Sequence, residues 1–258
     1  MRSIRNWKQF RKYVRSSERD LLSALERYPE SVLVSGCQRS GTTMLTRIIA
    51  NSDGFGRFHL TSDDELDAAL ILSGHAGPLS PGRYCFQTTY MYDCLSEYIA
   101  HRGSYKMIWM LRNPYSVVYS MLYNWKRAAL NELFMAVGVP YLREPYRRRL
   151  QRFGALGVPA LERACLSFRG KLEELFYLRK SLDNSDMFVV DYDELARNKN
   201  ELLPEIFRFI GVEYREPYGE RLKAASIDKA SKLSATERSR IAAIAEPIYQ
   251  EARALLSI

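Results

Sequence analysis

The sequence predicts an α/β fold of three layers, with a central parallel sheet covered by helices on both faces. Three observations predict it. "SVLVSG" (31–36), "YKMIWML" (105–111) and "DMFVVDY" (186–192) are short apolar runs of the kind that fill strands buried on both sides. Each is followed by a segment whose apolar residues recur at helical spacing, so strand and helix alternate along the chain. The first run ends in a glycine-bearing turn, "GCQRSGTT", that opens directly into a helix.

The elements follow in order. Trp7, Phe10, Tyr13 and Val14 recur at helical spacing, as do Leu21, Leu22 and Leu25. Residues 1–30 therefore read as an extension of one or two amphipathic helices packed on the domain, with membrane-surface binding as the alternative. After the first strand, 42–52 reads as a helix with Met44, Leu45, Ile48 and Ile49 inward. Residues 53–62 are loop, and 63–74 a short helix with Asp63 or Asp64 at its cap. "RYCFQTTY" (83–90) is a candidate strand and 91–102 a helix. Asn113-Pro114 closes the next strand, and 115–134 reads as one long helix. Residues 138–160, with "RRRLQRF", read as a variable, partly helical insertion; 164–182 is an amphipathic helix. After the last strand, 193–211 reads as a helix interrupted by Pro204 and stopped by Gly211, and 234–257 as helical with Ser234 as its cap. Neither repeats nor low-complexity linkers divide the 258 residues, so the expectation is one domain, with 126–165 as an inserted segment that builds part of a pocket or lid.

Composition bounds the function. Apolar residues make up 47% and charged residues 26%, which suits a soluble globular chain. A net charge of +8 favours anionic partners: nucleotides, nucleic acid or an acidic membrane surface. The chain carries neither an RNA-binding aromatic signature nor zinc-finger spacing, so nucleic acid is not expected. Cys37, Cys85, Cys94 and Cys165 are too scattered for a disulfide framework or zinc site, and three histidines are few for a metal cluster. Reduced thiols in a cytoplasmic protein are the expectation. No apolar run approaches the roughly 18 residues of a membrane span, and the basic N-terminus lacks an apolar signal core.

The turn after the first strand is the chemical centre of the sequence. Gly36 and Gly41 have the separation of a phosphate loop, GxxxxGK[ST], but Thr42 stands in the lysine's place and Arg39 lies three residues earlier. Helix N-termini present unpaired N–H groups and a positive dipole end, so Gly36, Cys37, Gln38, Arg39, Ser40, Gly41, Thr42 and Thr43 are candidate anion-binding residues. Without the lysine a magnesium-triphosphate reading weakens. A ligand with less terminal charge and no metal fits better, with Arg39 neutralising a single 5′-phosphate and reaching the group that leaves it.

"CQRSGTTML" resembles the 5′-phosphosulfate loop of sulfotransferases, of bacterial type, that use 3′-phosphoadenosine 5′-phosphosulfate (PAPS); Arg39 occupies the place of that family's basic residue. The resemblance implies a P-loop-like sulfotransferase fold, PAPS as co-substrate without a metal, and a small-molecule, glycan or lipid acceptor. It also implies a second element that binds the 3′-phosphate: "WMLRNPYSVVYSMLYNW", with Arg112 ending the strand and Ser120 on the helix. Eight residues is about two helical turns, so both can reach one phosphate. "VVDYDELARNKNELLPEIFRFIGV" is similar to a third family segment; Tyr192 there either stacks on or bonds the adenine, or is a buried tyrosine. "SIDKASKLSATER" sits where many members close a basic loop over the 3′-phosphate, making Ser231 and Lys232 candidates with Lys229 behind them, unless the run is a solvated charged face.

Sulfuryl transfer needs a base for the acceptor's proton. Glu65 falls where glutamate-dependent relatives place theirs. His59 is a second candidate, since a histidine suits base work near neutral pH, and His75 could enter from a lid; Asp64 reads better as a cap. Many relatives carry a lysine on the strand after the loop helix. Here Gln87, Thr88 and Thr89 occupy that stretch, which leaves Arg39 to assist the leaving group. Two rivals stay open: a P-loop kinase or NTPase with Asp191 as its magnesium residue, and a non-catalytic nucleotide-binding protein of the same fold.

Overall fold

Apolar side chains alternate along each strand between two cores, and that alternation builds the layers. The computed structural model describes residues 4–17, 20–92, 94–220, 222 and 230–257. Its sheet has four parallel strands: β1 (Ser31–Gly36), β2 (Cys85–Gln87), β3 (Tyr105–Leu111) and β4 (Met187–Asp191), in the order β2-β1-β3-β4. Leu33, Met107, Trp109, Leu111, Met187 and Val189 face the larger core, whereas Val32, Val34, Ile108, Met110, Phe188 and Val190 face the other. This is the period-two signature of strands with both faces covered.

Helices fill both sides. The second core is closed by α2 (Thr42–Ala50), α9 (Tyr192–Arg197) and α10 (Lys199–Phe209), through residues such as Leu45, Ile49, Leu195 and Phe207. The larger core takes α1 (Trp7–Tyr13), α3 (Asp64–Leu72), α4 (Leu95–Ala100), α5 (Pro114–Tyr123), α6 (Arg127–Leu133), α8 (Ala160–Arg179), α11 (Ala235–Ile244) and α12 (Glu246–Arg253). Inside α3, Leu66 to Leu72 are all buried, which anchors the helix that carries Glu65. The remaining helix, α7 (Tyr146–Phe153), has no buried residue. No helix among the described residues is long and apolar enough to cross a membrane.

Four readings of the sequence need correction. The segment 115–134 is two helices, α5 and α6, separated at Asn124–Lys126, where α5 ends on Asn124 and a further helix starts. The second break lies at Asn198, between α9 and α10, and Pro204 sits inside α10. Leu21, Leu22 and Leu25 are buried in the core as expected, but on turns and a short 3-10 segment. The C-terminal segment divides at Ala245 into α11 and α12; Ser234 caps α11 in a capping box with Glu237.

The chain leaves β1 to one side for β2 and returns to the other side for β3, so the ends of β1 and β3 form a switch point, the place where open parallel sheets bind ligands. The two strands approach closely there. Gly36 pairs with Met110 and has φ 140°, and a Cβ on it would stand 2.5 Å from the Met110 carbonyl oxygen. Gly36→Ala is therefore expected to cost about 2 kcal/mol or more, lowering the thermal midpoint by several degrees. An unchanged unfolding curve would contradict this account of the β1–β3 junction.

Candidate active site

A cavity of about 350 Å³ opens at that junction. The loop after β1 enters it through Gln38, Arg39, Gly41, Thr42 and Thr43, the end of β3 through Arg112, and α5 through Ser120. Gly41 caps α2 in the left-handed region at φ 93°. A Cβ on Gly41 would lie 2.2 Å from the Tyr192 ring, so only glycine lets loop and ring meet. Arg39 is itself left-handed, at φ 74°. A non-glycine residue in that region is uncommon, and here it belongs to the loop that lines the cavity.

The two arginines singled out by the sequence meet. Arg39 Nε donates to Ser120 Oγ at 3.0 Å, and Arg112 donates to the Arg39 carbonyl at 3.3 Å. The guanidinium of Arg112 is buried, lies 4.4 Å from the Tyr192 ring centroid and faces the Asp193 carboxylate at 3.4 Å. Burial, then the neighbouring Arg112 cation, pull the Arg39 pKa below its ordinary value. Asp193 is pushed up by burial, against the pull of Arg112. Two cations thus share one wall, with one half-compensated carboxylate behind them. The first N–H groups of α2 add further donors, since they have no acceptor inside their own helix. The donor set of guanidinium, hydroxyl and amide groups fits a phosphate-bearing anion such as the nucleotide that the family resemblance implies.

Glu65, on the first turn of α3, also lines the cavity. The Thr89 hydroxyl donates to Glu65 Oε1, and Gln87 Nε2 reaches Thr42 Oγ1 at 3.2 Å and Glu65 Oε2 at 3.5 Å. Gln87 thus ties the loop after β1 to the carboxylate from the strand position where a lysine is absent. Burial raises the Glu65 pKa to about 7, with the Thr89 hydroxyl bond opposing. Asp63 caps α3, accepting from the Glu65 and Leu66 N–H groups, and its other oxygen accepts from Trp7 Nε1 at 2.8 Å. Asp67 accepts from Leu60 N, Thr61 N and Thr61 Oγ1, fixing the loop before the helix. The N-terminal helix therefore steadies the helix that aims Glu65.

Several expected site residues stand elsewhere. Gly36 and Cys37 support the loop from behind; Cys37 is buried, and burial pushes its thiol up to about 12. Ser40 is also buried, its hydroxyl without a partner among the described residues. Tyr192 is buried yet lines the cavity, its ring wedged between Arg112 and Gly41. His59 is exposed on the loop before α3, and His75 rests on Ser73; neither lines the cavity. Asp64 pairs with Arg47 at 2.7 Å. Ser231 and Lys232 are exposed ahead of α11, with the Ser231 carbonyl accepting from Arg238, and do not line the cavity. Lys229 lies outside the described residues. The 126–165 segment contributes no lining residue; Trp125, immediately before it, does, together with Met44 and Arg47. None of these three was expected at the site. The only signal for Trp125 was its place five residues beyond Ser120, and Arg47 lies one helical turn beyond Thr43.

The comparisons agree with this architecture. A model of the sulfotransferase domain matches residues 79–253, which includes Arg112 and Ser120 but neither the loop after β1 nor Glu65. No curated protein matches the sequence. Among solved structures, the sulfotransferase from Alicyclobacillus acidocaldarius is 14% identical, with a TM-score of 0.53 over 88% of this chain and 95% of that one. The sulfotransferase domain of the Synechococcus PCC 7002 olefin synthase is 16% identical, with a TM-score of 0.51 over 86% and 95%. That of the curacin biosynthetic pathway is 14% identical, with a TM-score of 0.51 over 84% and 97%. These likenesses are of fold. The family match spans well over half of the 258 residues, and the chain belongs to the sulfotransferase domain family.

Proposed function

We propose that this sulfotransferase takes its sulfuryl group from PAPS and passes it to a hydroxyl or amine of a small-molecule, glycan or lipid acceptor. The observation that carries the reading is one cavity lined by two neighbouring arginines and by a carboxylate raised to about 7. The nucleotide supplies an activated sulfur whose bond to phosphate oxygen breaks as the acceptor's bond forms. Arg112 and Ser120 hold the 3′-phosphate, while the Gly41–Thr43 amides and hydroxyls hold the 5′-phosphate. Arg39 exchanges its bond to Ser120 for the phosphate oxygen and stabilises the charge that accumulates there. Glu65 takes the acceptor's proton, and a base with a pKa near neutrality is matched to that task. Gln87 and Thr89 hold the carboxylate in place.

The kinase reading loses its metal residue. Asp191 is buried, caps α9 through the Asp193 and Glu194 N–H groups, accepts from Tyr249 at 2.6 Å, and does not line the cavity. The non-catalytic reading leaves a half-buried, hydrogen-bonded carboxylate in the cavity without a task. Transfer of labelled sulfate from PAPS to an added acceptor decides between enzyme and binding protein.

Arg112→Ala is expected to weaken binding of 3′-phosphoadenosine 5′-phosphate tenfold or more, by loss of about 1.5–3 kcal/mol of charged hydrogen bonding, while adenosine 5′-phosphate loses far less. Equal losses, read by calorimetry, would contradict the assignment. Glu65→Gln is expected to lower turnover by about 10²-fold or more and to spare nucleotide binding. The same variant tests the electrostatics. Because the folded pKa is raised from 4.5 to about 7, the stability held by neutral Glu65 is present below pH 4.5 and lost as pH rises to about 7. Above that pH, Glu65→Gln should be more stable than the parent by on the order of 2–3 kcal/mol, with the difference vanishing in acid. Unchanged turnover removes Glu65 as the base, and a pH-independent stability difference contradicts its burial as the cause of the shift.

A further inference from the structure

The arginine-rich insertion builds no part of the cavity, and its surface has the chemistry of a lipid contact. Between Tyr141 and Val158 the chain carries Arg143, Arg147, Arg148, Arg149 and Arg152 against a single acid, Glu144. Tyr146 and Leu150 seat α7 on a small core of Phe134, Leu142, Val158 and Leu166. The rest of the helix faces outward: all four of its arginines are exposed. Arg147 is turned onto the Leu142 and Pro140 carbonyls, and Arg148 stands 3.7 Å from Glu144. Arg143, Arg149 and Arg152 pair with no carboxylate among the described residues.

Two large apolar side chains stand among these cations. Phe153 is 57% exposed and Leu156 61% exposed, the latter on the turn Gly154–Gly157 that directly follows the helix. Arg149 and Phe153 are one helical turn apart, as are Arg148 and Arg152, so cations and apolar groups share one outward face. The Arg152 guanidinium lies 5.2 Å from the Phe153 ring centroid. A polyanion in water would use the arginines and leave Phe153 and Leu156 idle. An anionic bilayer uses both, because its headgroups attract the cations and its acyl boundary takes the apolar pair.

We infer that α7 and the turn after it dock the protein on an anionic lipid surface, with Arg148, Arg149 and Arg152 at the headgroups and Phe153 and Leu156 inserted. The proposal is independent of the nucleotide reading, since none of these residues lines the cavity.

The test is co-sedimentation of the full chain with vesicles of phosphatidylcholine alone and with about one-third phosphatidylglycerol, beside retention on soluble heparin. The expected result is binding to the anionic vesicles only, weakened by salt. Each arginine removed should weaken it about fivefold, so Arg148→Gln/Arg152→Gln loses about 25-fold. Phe153→Ser/Leu156→Ser should weaken vesicle binding at least tenfold and leave heparin retention unchanged. All four side chains are exposed, and unchanged circular dichroism melting verifies the fold of each variant. Absence of binding by the parent chain, equal binding to both vesicle types, or vesicle binding indifferent to either variant would overturn the proposal. Loss through the arginine variant alone would also overturn it, in favour of a soluble polyanion.

Discussion

Arg39 and Arg112 meet at the carboxyl ends of β1 and β3, linked through the Arg39 carbonyl, and the rest of the site depends on that meeting. Like charges at close range are unfavourable, and burial adds to the cost for Arg112. The surroundings offset only part of it: Asp193 faces Arg112, the Tyr192 ring supports it, and the Ser120 hydroxyl accepts from Arg39. What remains is a wall of positive potential that an incoming anion relieves. Two glycines permit the arrangement, Gly36 by letting β1 and β3 approach and Gly41 by letting the loop close over Tyr192.

Glu65 is positioned by a different kind of constraint. Glu65 projects from a helix whose next seven residues are all buried, so the backbone that carries the carboxylate is fixed. The chain that precedes it is tied down twice, by Trp7 on Asp63 and by Asp67 on the loop at Leu60 and Thr61. Desolvation of a carboxylate held in this way is what raises its pKa. The N-terminal extension thus belongs to the site's support, although it contributes no lining residue.

Much of this was legible in one dimension. The strands could be read because residues such as Val32, Ile108 and Val189 form runs dense enough to be buried on both faces. The loop could be read from its glycine spacing, and the Arg112–Ser120 pair from the family resemblance. The break between α5 and α6 could not, because apolar spacing runs on through Asn124–Lys126 and both halves pack on α8. Pro204 misled for a related reason: tertiary packing of Leu202, Leu203 and Ile206 holds α10 together across it. Contacts between residues 81 apart, such as Arg39 with Ser120, leave no mark in spacing. Nor was it legible that Gln87 and Thr89, read as a departure from the family's strand, are the partners of Glu65. Segments that vary in this way often build pockets, but 126–165 packs α6 into the larger core and leaves the charged α7 unburied, and none of it lines this cavity.

The central claim is that the paired guanidinium wall takes a bisphosphorylated nucleotide by charge and hydrogen bonding from the protein alone. Calorimetric titration with 3′-phosphoadenosine 5′-phosphate, in the presence of magnesium and again in excess chelator, tests it most directly. The account predicts one site per chain with the same affinity in both conditions, weakening as salt is raised. Binding that requires magnesium, or that prefers a nucleoside triphosphate to this ligand, would contradict it.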